Sequence, residues 1–187
     1  DQVSWYQPHL DVSLDLIRKT VPDLDARIVD VGGGEATLVD DLVAGGYARV
    51  DVLDLSETAL DVARVRLGEA GRTVGWLCGD VTTYEFEAGV YDLWHDRAVF
   101  HFLTDPAGRR AYVKQVLYAV KPGGHVIVAT FGPEGPTQCS GLDVVRYDAT
   151  SLHDQLGARF QLVDHQMEDH VTPAGRPQQF VYCLCRT

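Results

Sequence analysis

Ile28-Val29-Asp30-Val31-Gly32-Gly33-Gly34-Glu35-Ala36-Thr37 decides how this chain folds. An apolar run of strand type enters three successive glycines, and helical spacing resumes behind them, which is the pattern of a buried strand, a tight turn and a helix. Glycine lets backbone approach a neighbour with no Cβ in the way, and the start of a helix presents unpaired N–H groups. A turn that cradles a pyrophosphate would read Gly-x-Gly-x-x-Gly. Here position 37 is Thr, the small residues fall at 32, 34 and 36, and Glu35 heads the expected helix 35–44, where its charge would repel an anion. A tight turn with no ligand is the plain alternative.

The same alternation extends outward on both sides. Upstream, Leu10, Leu14 and Ile17 carry helical spacing that stops at Val21-Pro22, and 27–31 is the first strand. Downstream, 49–55 is a second strand, Ser56 caps a helix from 57 to about 70 that stops at Gly71, and 73–78 is a third strand. A loop with Tyr84-Glu85-Phe86-Glu87 leads to a fourth strand from Tyr91, and a helix over about 106–120 ends at Lys121-Pro122-Gly123-Gly124. Residues 125–131 form a fifth strand, 132–141 a Gly- and Pro-rich loop, and 150–157 a short helix. The last two strands, 160–171 and 178–186, are joined too closely to run parallel. The expected fold is α/β, a Rossmann-like doubly wound sheet of seven strands, mostly parallel with an antiparallel C-terminal pair. One domain takes in 1–187, with 1–22 an N-terminal lid and first helix and 27–187 the core.

Composition narrows the function. The 187 residues carry 16 Lys and Arg against 27 Asp and Glu, a net charge of −11, and 45% are hydrophobic. A chain this apolar folds around a core, and an acidic one without a basic run is unsuited to a phosphate backbone, so no nucleic-acid partner is expected. The longest apolar stretches, such as Val126 to Phe131, are far shorter than the roughly 20 residues of a membrane span. No secretory leader pattern stands at the start. Cys78, Cys139, Cys183 and Cys185 form no C-x-x-C and no ligand-pair spacing with the seven His, so free buried thiols, a reducing cytoplasmic setting and no metal are expected.

Ligands of such sheets bind beyond the carboxyl ends of the strands, where strand order reverses. Three strand ends in a row carry chemistry there: the glycine turn with Asp30, then Asp54 before Leu55, then Asp80 before Val81. An acid after the second strand can accept from ribose hydroxyls, and one after the third can accept from an adenine amino group with Val81 against the ring. Each alone is weak, because Asp also builds turns.

Together these residues make the chain resemble a class I S-adenosylmethionine-dependent methyltransferase from residue 27 to 187. The resemblance implies S-adenosyl-L-methionine as cofactor, its methionine portion on Asp30, Gly32, Gly33 and Gly34, ribose on Asp54 with Leu55, and adenine on Asp80 with Val81. Ala36 stands where the family usually has a third glycine. The Lys121-Pro122-Gly123-Gly124 turn and the final strand pair are further family habits. At the fourth strand end, Asp96-Arg97-Ala98 followed by apolar residues is similar to thiopurine and related thiol or chalcogen methyltransferases, which implies that His95, Asp96 and Arg97 face the methyl group and its acceptor, with His95 also on the cofactor. Hydrogen bonding within the turn is the alternative for His95 and Asp96, and His101 is expected to pack beyond the site. Trp5 and Tyr6 suit a lid over cofactor and acceptor, or a hydrophobic staple on the first helix. Cys139 in the loop after the fifth strand could touch the acceptor.

The expected activity is transfer of a methyl group to a small-molecule nucleophile, a thiol or other chalcogen on the resemblance. A thiolate needs little base catalysis, whereas an amine or hydroxyl would use His95 or Asp96. A protein-lysine methyltransferase of the same fold, a nicotinamide-dependent oxidoreductase and a non-enzymatic cofactor-binding module are the alternatives. Asp30, Asp54, Asp80 and Asp96 are expected to converge on one sheet edge, which suits a cationic cofactor.

Overall fold

The computed structural model describes residues 7–172 and 175–187. Its first helix, α1 (Asp11–Thr20), buries Leu14, Leu16 and Ile17, and β1 (Arg27–Val31) enters the core behind it. Then follow α2 (Leu38–Ala44), β2 (Arg49–Asp54), α3 (Glu57–Leu67), β3 (Gly75–Cys78), β4 (Tyr91–Arg97), α4 (Pro106–Ala119) and β5 (Val120–Phe131). A two-strand ribbon, β6 (Gln138–Cys139) with β7 (Leu142–Asp143), precedes α5 (Ala149–Leu156) and the closing pair β8 (Gln161–Val171) and β9 (Pro177–Arg186).

Seven strands form one sheet in the order β3-β2-β1-β4-β5-β9-β8. The first five are parallel, and β9 runs antiparallel to both β5 and β8. This is the doubly wound sheet expected from the alternation. Its two apolar layers lie on opposite faces: α1 and α2 cover Ile28, Val50, Leu93 and Ile127, while α4 and α5 cover Val29, Trp94, Val126 and Val128. Strand order reverses between β1 and β4, so their carboxyl ends diverge and leave a crevice.

Several element ends differ from the sequence expectation, each for a local reason. The helix expected from Glu35 begins at Leu38, because the turn closes by Ala36 N donating to Gly33 O (2.7 Å) and Thr37 spends its hydroxyl on Gln7 O and Pro8 O instead of capping. Acid still heads the helix, as Asp40 and Asp41. The helix capped by Ser56 stops at Leu67 rather than Ala70, since Gly68 takes φ +54° and a 3-10 turn carries the chain to Thr73. β5 extends back to Val120, and Lys121–Gly124 step out of its pairing with β4, pinned by backbone bonds between Gly123, Gly124 and Thr187. The β6–β7 ribbon was not anticipated in the loop 132–141. All four cysteines are free, as expected, but Cys78 is exposed while the other three are buried.

Candidate active site

A cavity of ≈ 500 Å³ opens at the β1–β4 divergence. Gly32, Gly33 and Gly34 form its floor, and each is glycine for a steric reason. Gly32 takes φ +72°, and a Cβ there would overlap Val99 Cγ2. A Cβ on Gly33 would sit 2.6 Å from Asp30 Oδ2, and one on Gly34, at φ +38°, 2.8 Å from Asp54 Oδ2. The glycines thus let Val99 and two carboxylates close against bare backbone, which leaves main chain as the floor.

Asp30 and His95 come from neighbouring strands at paired positions. His95 Nδ1 lies 2.7 Å from Asp30 Oδ1 and its Nε2 2.9 Å from Ser13 Oγ. A carboxylate only accepts, so the Nδ1–H donates to Asp30. All three side chains are buried, and together they bolt α1 to the floor of the cavity. Ser13 was missed in the sequence: one Ser on the inner side of an amphipathic helix carries no local signal of its partner 82 residues away.

On the neighbouring strand, Asp54 closes β2 and accepts from Ser56 N (2.8 Å). Burial holds its carboxyl above the usual range, with the nearby Asp30 charge adding, against donors from Ser56, Gly34 and Leu55. Asp80 is exposed and accepts from Thr82 N (2.8 Å) and Thr82 Oγ1 (2.7 Å). Leu55, 73% exposed, and the buried Val81 stand beside these two acids as apolar walls. All nine residues expected to hold the cofactor line this one cavity.

The fourth strand end splits by face. His95 and Arg97 line the cavity, but Asp96 does not. Strand alternation turns Asp96 to the α4 side, where it accepts from Tyr112 Oη (2.7 Å), Val99 N (2.9 Å) and Phe100 N (3.1 Å). It therefore builds the turn that leaves β4, and the expected contact of Asp96 with methyl or acceptor is corrected, as is its convergence with the other three acids. Complete burial pushes its carboxyl up to about 6 despite these donors. The turn also holds Ala98 at φ +73°, a left-handed position its neighbours must enforce.

Arg97 is 5% exposed at its side chain. Its Nε donates to Tyr182 Oη (2.9 Å), Nη2 lies 3.5 Å from Glu168 Oε2 without a hydrogen bond, and the guanidinium stacks 4.0 Å from the Phe180 ring centre. Beyond it the wall is Val99, Phe102, Leu103, Cys139, Ser140 and Leu142, a section with no carboxylate or imidazole. Burial raises the Cys139 thiol above its usual range, with opposing contributions from Ser140 and the Arg97 charge. His101 is buried against Phe102 and Phe131, outside the cavity lining, and burial brings its imidazole down to about 3. Trp5 and Tyr6 lie outside the described residues. Among the described residues no cluster of His, Cys, Asp and Glu could hold a metal, and no helix is long and apolar enough to cross a membrane.

Comparison with known proteins gives concordant matches. The family model described as a methyltransferase domain matches residues 28–124. A ubiquinone biosynthesis O-methyltransferase of Aromatoleum aromaticum is 31% identical over 134 residues, 70% of this chain and 56% of that protein. The chain thus spans about half the length of the curated relatives it matches. Among solved structures, an S-adenosylmethionine-dependent methyltransferase of Methanosarcina mazei superposes with a TM-score of 0.76 at 16% identity, covering 92% of this chain and 96% of that one. The 1,6-didemethyltoxoflavin N1-methyltransferase of Burkholderia thailandensis, solved with S-adenosylhomocysteine, gives 0.73 at 20% identity, covering 92% and 75%. The curated relatives are O-methyltransferases rather than thiopurine-like enzymes, which corrects the finer resemblance drawn from Asp96-Arg97-Ala98. That motif owes its first acid to turn building.

Proposed function

The chain belongs to the class I S-adenosylmethionine-dependent methyltransferase family, and from that premise we propose that it methylates a small acidic nucleophile that reacts as its anion, an oxygen acid of phenol or enol type ahead of a thiol. The carrying observation is the asymmetry of the cavity: carboxylates and glycine backbone at one end, a buried guanidinium in an apolar wall at the other. The glycine turn, whose bare main chain lines the floor of the cavity, fits the methionine portion of the cofactor. Asp54 is the group for its ribose, and Asp80 with Leu55 and Val81 for its adenine. A bound sulfonium supplies a methyl group already activated for in-line displacement.

What remains for the chain is to bind, align and keep water out. His95 has both ring nitrogens engaged, so it serves the floor through Asp30 and Ser13 rather than drawing a proton from the acceptor. With Asp96 turned away, the acceptor end offers a cation and no base. A nearby positive charge lowers the pKa of a bound acid, so Arg97 favours acceptors that ionise on their own. Oxygen is placed ahead of sulfur because the curated relatives are named O-methyltransferases.

Initial rates across a series of phenols, thiols and amines of graded acidity test this reading. Phenols and thiols that ionise near neutrality are turned over, and Arg97→Met raises their KM about tenfold or more while S-adenosylhomocysteine affinity stays within about twofold. Turnover of amines alone, or acceptor KM unmoved in Arg97→Met, contradicts it.

A further inference from the structure

The last strand of the sheet, β8, has a sequence that is chemically symmetric about its centre. Val163-Asp164-His165-Gln166-Met167-Glu168-Asp169-His170-Val171, laid antiparallel on itself with Met167 opposite Met167, sets Val163 against Val171, Asp164 against His170, His165 against Asp169 and Gln166 against Glu168. No pair is like-charged, and the methionine and valine pairs are apolar. β8 runs 11 residues, about twice the usual strand length, and among the described residues its only strand partner is β9. Its outer edge is therefore a row of main-chain groups open to another strand, a hazard that proteins usually blunt.

The exposed side chains carry the same symmetry. Val163, Met167 and Val171 are 52%, 49% and 63% exposed, with His165 and Asp169 exposed between them. On the other face the strand is occupied within its own chain: Asp164 with Lys19, Glu168 and His170 with Gln7. The bulge at Val163, between Leu162 and Asp164, ends the regular stretch. The side left to a partner thus presents His165, Met167, Asp169 and Val171, and a second copy turned by a two-fold axis through Met167 meets it with Asp169, Met167 and His165.

We propose that this edge is a homodimer interface in which two β8 strands pair antiparallel about Met167 and join the two sheets into one. A two-fold interface demands that one patch complement itself, which this strand does in charge, polarity and apolar content. Main-chain bonds supply the pairing, and the opposed His165–Asp169 pairs on either side of Met167 fix the register.

The symmetry makes a sharp test. In a Cys78→Ser background, which removes the exposed thiol, Met167→Cys puts two thiols opposite each other at a Cα separation of about 4.5–5.5 Å, within disulfide reach. Mild oxidation with diamide converts Met167→Cys to a covalent dimer, whereas His165→Cys, four residues out of register with its own copy, does not cross-link. Light scattering on unmodified protein at about 100 µM, which populates a dimer of micromolar Kd, reads two chains. His165→Asp, which sets two carboxylates opposite each other, shifts that reading toward one chain, and His165→Asp with Asp169→His restores it. A monomer at that concentration, or equal cross-linking of Met167→Cys and His165→Cys, overturns the proposal.

Discussion

Gly32 is the residue on which the floor of the site turns. Its backbone stands at φ +72° and the space a Cβ would need is filled by Val99. A left-handed alanine costs about 1–2 kcal/mol before any clash, so Gly32→Ala is expected to lower S-adenosylhomocysteine affinity about tenfold or more, read by fluorescence titration. Ser13 is the matching test of the buried chain through His95. Ser13→Ala removes one partner of a sealed imidazole and is expected to cost about 1–3 kcal/mol in urea unfolding, with no charge removed from the cavity itself. Residue identity was legible in the sequence where backbone needs were severe, at Gly32 and Gly34, and where an acid closed a strand, at Asp54 and Asp80. It was not legible at Ser13, whose role exists only once α1 lies across β4.

At the scale of elements, the turn out of β4 sends consecutive side chains to opposite sides of the sheet. Asp96 faces α4 and ties Val99, Phe100 and Tyr112 together, while Arg97, one residue on, faces the cavity. Burial lifts the Asp96 carboxyl from 3.8 to about 6 in the folded chain, so the native state binds more protons than the unfolded one between those values. The stability from this group is present below pH 3.8 and falls as pH rises to about 6. Asp96→Asn keeps an acceptor for the turn and lacks the titration, so urea midpoints measured across that range shift in the variant's favour as pH rises; parallel curves contradict the assignment. Strand ends and most helix starts were legible in the sequence, and the start of α2 was not. Period and strand-ending acids lie in the local sequence, but Thr37 gave its hydroxyl to Gln7 and Pro8, a tertiary choice that moved the start of α2. The two-residue strands of the ribbon are too short to show any alternation.

For the whole molecule, the doubly wound sheet fixes one crevice, and the acidic excess acquires a partial meaning there. Asp30, Asp54 and Asp80 line the cavity while Asp96 is spent on the turn, so the negative end of the site is made by three strand-end acids rather than four. Opposite it, Arg97 sits among Tyr182, Phe180 and Glu168, contributed by the antiparallel strand pair that closes the sheet. The proposed cofactor and acceptor ends thereby fall in different halves of the fold. Whether the carboxylate end holds S-adenosylmethionine is read by calorimetric titration with S-adenosylhomocysteine. One-site binding to the unmodified chain is expected, with a loss of at least about tenfold, 1.4 kcal/mol, in a folded Asp54→Ala variant. No binding by the unmodified chain, or equal affinity in the two proteins, would contradict it.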